Sequence, residues 1–317
     1  MRQVSLYVMC ESEIMTSLED SGFLALDMQH WISKHRSANR DCFGLADELN
    51  SFAQKRMFAL DISKQDYQQL LVATAFLRAL SMFQGAIIML ERGMIFEAGI
   101  LIRGQIEGMF IVAAASKSRE FAKNFILSDG AKKLGLMKNL LRASDRIQQI
   151  LGDQASWDDV NKLKADLAAE GIKDFQIADI ARQTDYLDWY TVVYTFLSQM
   201  LAHPTARSLD KYLSAGEDGE VSCLSWGPDV YGISKMMGAA IECLIVVLEK
   251  VNKLFEAQWK PDLDRFHDRL RELSTPETGM DFGFRTTQQS APLGLPPHCV
   301  FRQPVSTRVS RKDEELQ

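Results

Sequence analysis

Three sets of polar residues interrupt otherwise apolar stretches of this chain, and each could carry chemistry. Glu97 comes first, then Arg103 with Glu107 four residues on, and far downstream Tyr194, Ser198 and His203. An arginine and a glutamate at i,i+4 of a helix lie within reach of each other. In an apolar setting such a pair is either a structural ion pair or part of a site. Removing one partner of a buried pair costs about 3–5 kcal/mol, which favours the structural role; a guanidinium that stabilises charge on a phosphate is the functional one. His203 could serve as general acid or base, because histidine changes charge near neutral pH. A histidine at a helix C-terminus is also favoured simply by the helix dipole. Tyr194 and Ser198 are four apart, so both hydroxyls could reach one pocket, but Ser198 lacks the G-x-S-x-G surroundings of a strained nucleophile turn. The candidate catalytic pair is therefore His203 with Arg103, and the candidate polar network is Glu97, Glu107, Tyr194 and Ser198. Both readings stand at this point.

Other chemistries lack their residues. There is no G-x-x-x-x-G-K-[ST] phosphate loop, no G-x-G-x-x-G after a strand and no H-E-x-x-H. The five histidines (His30, His35, His203, His267, His298) stand at no metal-ligand spacing, and the five cysteines are scattered without a C-x-x-C pair. No metal, no cofactor and no DNA-binding motif is expected. The cysteines read as reduced thiols of a cytoplasm.

The elements that must position these residues are helices. Apolar residues recur at helical spacing over 12–35, with Gly22 as an interruption, and a second helix is expected over 42–60. Ser63 is placed as N-cap of a helix over 65–91 that carries Leu70, Leu71, Leu77, Leu80, Phe83, Ile87 and Leu90, and Arg92-Gly93 is its stop. The next helix, 94–116, carries Gly99, Gly104 and Gly108, each costing roughly 1 kcal/mol against alanine in a helix interior. Glu97, Leu101, Gly104, Gly108 and Ile111 share one face, so another backbone is expected to approach there. Basic amphipathic helices follow over 119–151, shorter ones over 157–169 and 175–182, and a strong one over 186–201 that ends before Pro204. Long and short helices are expected over 230–255 and 260–273.

The fold class expected is all-α, a multi-helix bundle with at most one small β-hairpin near 220–227. The domain reading is an N-terminal helical extension over 1–62, a helical core over 63–273 and a flexible tail over 274–317, where prolines stand among Thr, Gln and Ser. A hydrophobic fraction of 46% suits a chain with a real core, and the net charge of −6 argues against a general nucleic-acid coat. No signal-peptide pattern is seen, and Glu91, Arg92, Glu97, Arg103 and Glu107 break the apolar region 84–115. The protein is expected to be cytoplasmic, not membrane-spanning, and able to form a homodimer through an apolar helix face.

The segment Glu91-Arg-Gly-Met-Ile-Phe-Glu97-Ala-Gly-Ile-Leu-Ile-Arg103-Gly-Gln-Ile-Glu107, followed by Tyr194-Thr-Phe-Leu-Ser198 and His203-Pro204, resembles the bacterial family known as domain of unknown function 5677. That family pairs an E-A-x-x-L-x-R-x-x-x-E helix with a later Y-x-x-L-S and a histidine, and the likeness spans roughly 65–250. It is in turn similar to the helical HEPN group, many of whose members are ribonucleases of toxin–antitoxin and phage-defence systems. The resemblance implies a HEPN-like core and, for an enzyme, a metal-independent ribonuclease with RNA or an antitoxin as partner. The HEPN signature places an arginine four to six residues before its histidine. The six residues before His203 contain none, so Arg103 or Arg207 would have to supply the charge. The alternative is a non-catalytic helical interaction module whose buried Glu/Arg/His network is structural.

Overall fold

The apolar stripe that begins at Leu70 folds as the long helix the spacing predicts, but its cap lies three residues later than Ser63. In the computed structural model, which describes residues 18, 20–25, 28–151, 156–172, 174–215, 221–230, 232–273 and 301–304, the Asp66 side chain accepts from the backbone N–H groups of Gln68 and Gln69. A carboxylate at that place also suits the positive end of the helix. Ser63 instead lies in the preceding turn, its carbonyl accepting from the Asp66 N–H at 3.1 Å.

A short 3-10 turn at Gly22–Leu24, where Gly22 takes φ 57°, interrupts the first helical pattern as expected. In chain order the helices are then α1 (Met28–Ala38), α2 (Arg40–Phe58), α3 (Tyr67–Glu91), α4 (Ile95–Lys117), α5 (Arg119–Arg142), α6 (Asp145–Leu151), α7 (Trp157–Ala169) and α8 (Ile177–Arg182). A helical stretch over 189–202, α9, is followed by α10 (Ala206–Leu209), strands β1 (Leu213–Ala215) and β2 (Val221–Trp226), α11 (Ile233–Phe255), α12 (Lys260–Leu273) and β3 (Phe301–Pro304). The result is an all-helical bundle with one small sheet.

The sheet is antiparallel in the order β1-β2-β3. Leu213 pairs with Leu224, and Trp226 pairs with Phe301. The β1–β2 hairpin is the one expected near 220–227. β2 also pairs along its second edge with the four residues of β3 from far along the chain, a partner that no local pattern announces.

α3 and α4 form an antiparallel pair whose turn closes as a Schellman motif. The N–H of Gly93 donates to the Leu90 carbonyl and that of Met94 to the Met89 carbonyl, with Gly93 at φ 73°. A Cβ on Gly93 would lie 2.8 Å from the Trp31 ring and 2.9 Å from the Asp229 nitrogen, so space and backbone angle both demand glycine. Along the pair, small residues meet: a Cβ on Gly108 would stand 3.3 Å from that of Ala79. The backbone approach expected on this face is made by α3 at Gly108, whereas Gly104 faces the Met82 side chain.

α11 crosses this pair, and its Met237, Ile241, Leu244 and Leu248 share one core with Phe76, Phe83 and Leu90 of α3 and Ile102, Ile106, Met109 and Phe110 of α4. Phe43 and Leu49 of α2 and Leu263 and Phe266 of α12 join the same core. Each such large side chain contributes roughly 1.5–3 kcal/mol through burial. Gln105 is fully buried there and donates to the Ala240 carbonyl at 2.9 Å, tying α4 to α11. Among the described residues, α3 and α4 are the two helices long and apolar enough to cross a membrane. α4 is buried over most of its surface, as the core helix of a soluble protein is, while α3 keeps one stripe exposed.

His35 sits in a smaller apolar cluster around α1. It is 4% exposed, stacks on Trp31 with ring centroids 4.7 Å apart, and its Nε2 has no hydrogen-bond partner among the described residues. Burial lowers its pKa from 6.5 to about 4.

Two outcomes follow from these contacts. Gly93→Ala should lose about 2 kcal/mol or more, measured by urea unfolding, because a left-handed non-glycine residue alone costs roughly 1–2 kcal/mol. Between pH 6.5 and about 4 the unfolded chain holds the His35 proton and the folded one does not. Stability from this residue is therefore complete above pH 6.5 and falls by up to about 3 kcal/mol as pH drops towards 4. Unfolding of wild type and His35→Phe at pH 7.5 and 4.5 checks this; the variant should have the shallower slope.

Candidate functional site

Arg103 leaves α4 on the side away from α3 and reaches α9. Its Nε donates to Ser198 Oγ at 2.7 Å and its Nη2 to the Tyr194 hydroxyl at 2.6 Å. The same Nη2 lies 3.1 Å from Glu107 Oε1, and the Tyr194 hydroxyl donates to that oxygen at 2.9 Å. Guanidinium, carboxylate and two hydroxyls therefore form one closed hydrogen-bonded cluster. Charge-assisted bonds of this length are the stronger kind. The Arg103 and Glu107 side chains keep 25% and 21% exposure, so water screens the pair in part.

Three local features build the cluster. The first is Gly99: a Cβ there would lie 2.1 Å from Leu201 Cδ1, so the Leu201 side chain of α9 occupies the space left by the missing side chain on α4. The second is the winding of α9, which is π-helical at Trp189–Tyr194 and Ser198–Ala202 with one α turn, Thr195–Leu197, between. Tyr190 and Tyr194 are joined by the first π turn and Tyr194 and Ser198 by the α turn, and at this four-residue spacing the three run along one edge. Tyr190 and Tyr194 stack there, with centroids 5.3 Å apart and ring planes 20° apart. Thr195 Oγ1 donates to the Tyr190 carbonyl at 2.9 Å, giving that carbonyl a second partner within the π turn. The third feature is the aromatic face of Tyr194, over which the Arg103 guanidinium carbon stands 4.8 Å from the centroid.

The environment acts on Tyr194 in one direction. Burial raises its pKa above the usual 10, and the neighbouring Glu107 carboxylate adds to the rise, while Arg103 works against it. The phenol is held protonated, which it must be to donate to Glu107.

Of the six residues singled out in the sequence, four meet: Arg103, Glu107, Tyr194 and Ser198. His203 and Glu97 stand apart from them. His203 is an exposed residue in extended conformation at the C-terminus of α9. Its N–H donates to the Ser198 carbonyl at 3.1 Å, and its carbonyl accepts from Ser208 Oγ at 2.9 Å. The imidazole makes no hydrogen bond or ion pair among the described residues. Glu97 is half-buried in the first turn of α4, where a negative charge suits the helix N-terminus, and it has no side-chain partner among the described residues. The described residues contain no group of three or more His, Cys, Asp or Glu able to hold a metal ion. Sequence reasoning did not single out Tyr190, although its four-residue spacing from Tyr194 was the available signal.

Tyr194→Phe should destabilise the fold by about 1–2 kcal/mol, since it strips one hydroxyl from two hydrogen bonds. In a spectrophotometric titration the same variant should remove a tyrosine that ionises above pH 10.

The cluster lies within a stretch that matches a known family. The family described as "Family of unknown function (DUF5677)" matches residues 69–221, just under half of the chain. The match covers α3, α4 and α9 but stops before α11, and is thus narrower than the 65–250 of the motif resemblance. No curated protein and no solved structure matches the chain. Over residues 69–221 the chain is similar to this family of unknown function.

Proposed function

We propose that the protein is a non-catalytic helical interaction module in which Arg103, Glu107, Tyr194 and Ser198 lock α4 to α9. One observation carries this reading: Arg103 Nε and Nη2, the Ser198 and Tyr194 hydroxyls and one Glu107 oxygen are all engaged with one another. A guanidinium already held by a carboxylate and two hydroxyls is placed to fix helix register, and a reacting phosphate would have to displace Glu107.

The second reading is a HEPN-like defence or stress protein that acts on RNA, with an antitoxin as its natural partner. The exposed His203 imidazole, uncommitted among the described residues and one helix turn beyond Ser198, supports it. In that reading His203 is the general acid or base, Arg103 holds the scissile phosphate and Glu97 and Glu107 orient them.

Arg103→Met and His203→Ala separate the two. On the first reading Arg103→Met costs about 1–3 kcal/mol, a buried-pair loss discounted for partial exposure. His203→Ala then changes neither stability nor cell growth. Growth arrest by the wild-type protein with cleavage of cellular RNA, both abolished by His203→Ala, would replace the first reading with the second.

A further inference from the structure

α3 meets the rest of the protein on three sides, yet its fourth side is also apolar. Leu70, Leu77 and Ile88 are spaced by seven and eleven residues, which at ~100° per residue brings them within about 20° of one another. They are 39%, 45% and 46% exposed. Thr74 and Ser81, also exposed, lie between them on the same side. Beside this stripe α4 adds Ile100, 44% exposed and next to Leu101, whose side chain rests against Gly85 of α3. Between Tyr67 and Leu90 the only charged residue is Arg78. A solvent-facing helix side normally carries charge of both signs, whereas the centre of a protein interface is depleted in Lys, Glu and Asp and richer in Met and Arg. Met82 and Met89 are half-buried at the border of this stripe.

We infer that this face binds a second copy of the chain in a two-fold homodimer. The inference rests on the interaction-module reading and names its partner. The stripe is complementary to itself: Leu70 and Ile88 are equally far from the level midway between Leu77 and Ser81. An antiparallel copy of α3 centred there sets Leu77 over the small Ser81 of the partner, and the converse. Leu70 then meets Ile88 at each end. Such a contact uses the same patch on both copies, as a two-fold interface requires. The size also fits. At 1.5 Å per residue α3 is ~37 Å long, and α3 beside α4 offers a face about 20 Å wide, so roughly 700 Å² per copy is available. Stable interfaces bury about 600–1,000 Å² per partner.

Sedimentation equilibrium of the full chain tests the assignment. The wild type should run at twice the 35.8 kDa chain mass at micromolar concentration. Leu77→Glu and Leu77→Lys should each run as monomers with unchanged far-UV circular dichroism, and their equimolar mixture should regain the dimer mass. A monomeric wild type overturns the inference, and so does a dimer indifferent to Leu77→Glu and Leu70→Glu. A monomer that co-sediments with phosphatidylcholine–phosphatidylglycerol vesicles, and is released by Leu77→Glu, overturns it in favour of a lipid surface. RNA cleavage lost in His203→Ala would sink the non-catalytic reading and leave these masses untouched, so the two failures are distinguishable.

Discussion

Everything in this molecule leans on how closely α4 is approached from several sides. Against α3 the contact is made by Gly108 on Ala79 and by Gly104 on Met82. Against α9 it is made by Gly99 under Leu197 and Leu201. Each glycine weakens α4 as an isolated helix by roughly 1 kcal/mol, a cost that close packing must offset. Dispersion contacts between helices brought this near are individually tiny and collectively large. α4 is therefore a helix whose stability is tertiary, and the Gly93 turn, which returns it along α3, is the condition for the rest.

That crowding also explains where the polar side chains of α4 go. Gln105 points to α11 and finds the Ala240 carbonyl, while Arg103 and Glu107 point to α9 and find Tyr194 and Ser198. A long polar group inside an apolar bundle has few places where its hydrogen bonds can be made. Sliding α4 by one residue against either neighbour would leave these groups unpaired at a cost of several kcal/mol. The apolar contacts supply most of the stabilisation, and in the interaction-module reading the polar ones select which of several similar packings is adopted. That division of labour is the physical content of calling the Arg103 cluster a register lock.

Most of the helices could be read from the sequence because their apolar residues recur at a spacing that only a helix can bury. The run from Leu70 to Leu90 and the glycine stop at Gly93 needed no tertiary information. What escaped was decided by partners far away in the chain. Asp66 and Ser63 are equally plausible caps by type, and Arg119, which bonds Asp66 at 2.8 Å, is visible only in the folded protein. The π winding of α9 leaves no mark in its composition, yet it sets Tyr190 beside Tyr194. Glu97 stood out in the sequence as Arg103 and Glu107 did, because each breaks an apolar helix, though spacing pairs only the last two. The fold separates them, since Glu97 lies in the first turn and needs only the helix dipole. β3 is the plainest case, four residues whose pairing with β2 is set by chain return and not by pattern.

The unusual apolarity of α3 has two sources, and they should be kept apart. One side faces the core with Phe76, Phe83 and Leu90, and this alone would give an ordinary amphipathic helix with charge on its outer side. The outer side carries Leu70, Leu77 and Ile88 instead, which is why the helix is apolar enough overall to pass for a membrane span. A bilayer would ask for apolar surface all round, and α3 spends most of its circumference on α2, α4 and α11. A second protein surface asks only for one apolar stripe of limited width with small residues to interlock. Thr74 and Ser81, exposed on the same stripe, are small enough to receive a leucine from such a surface.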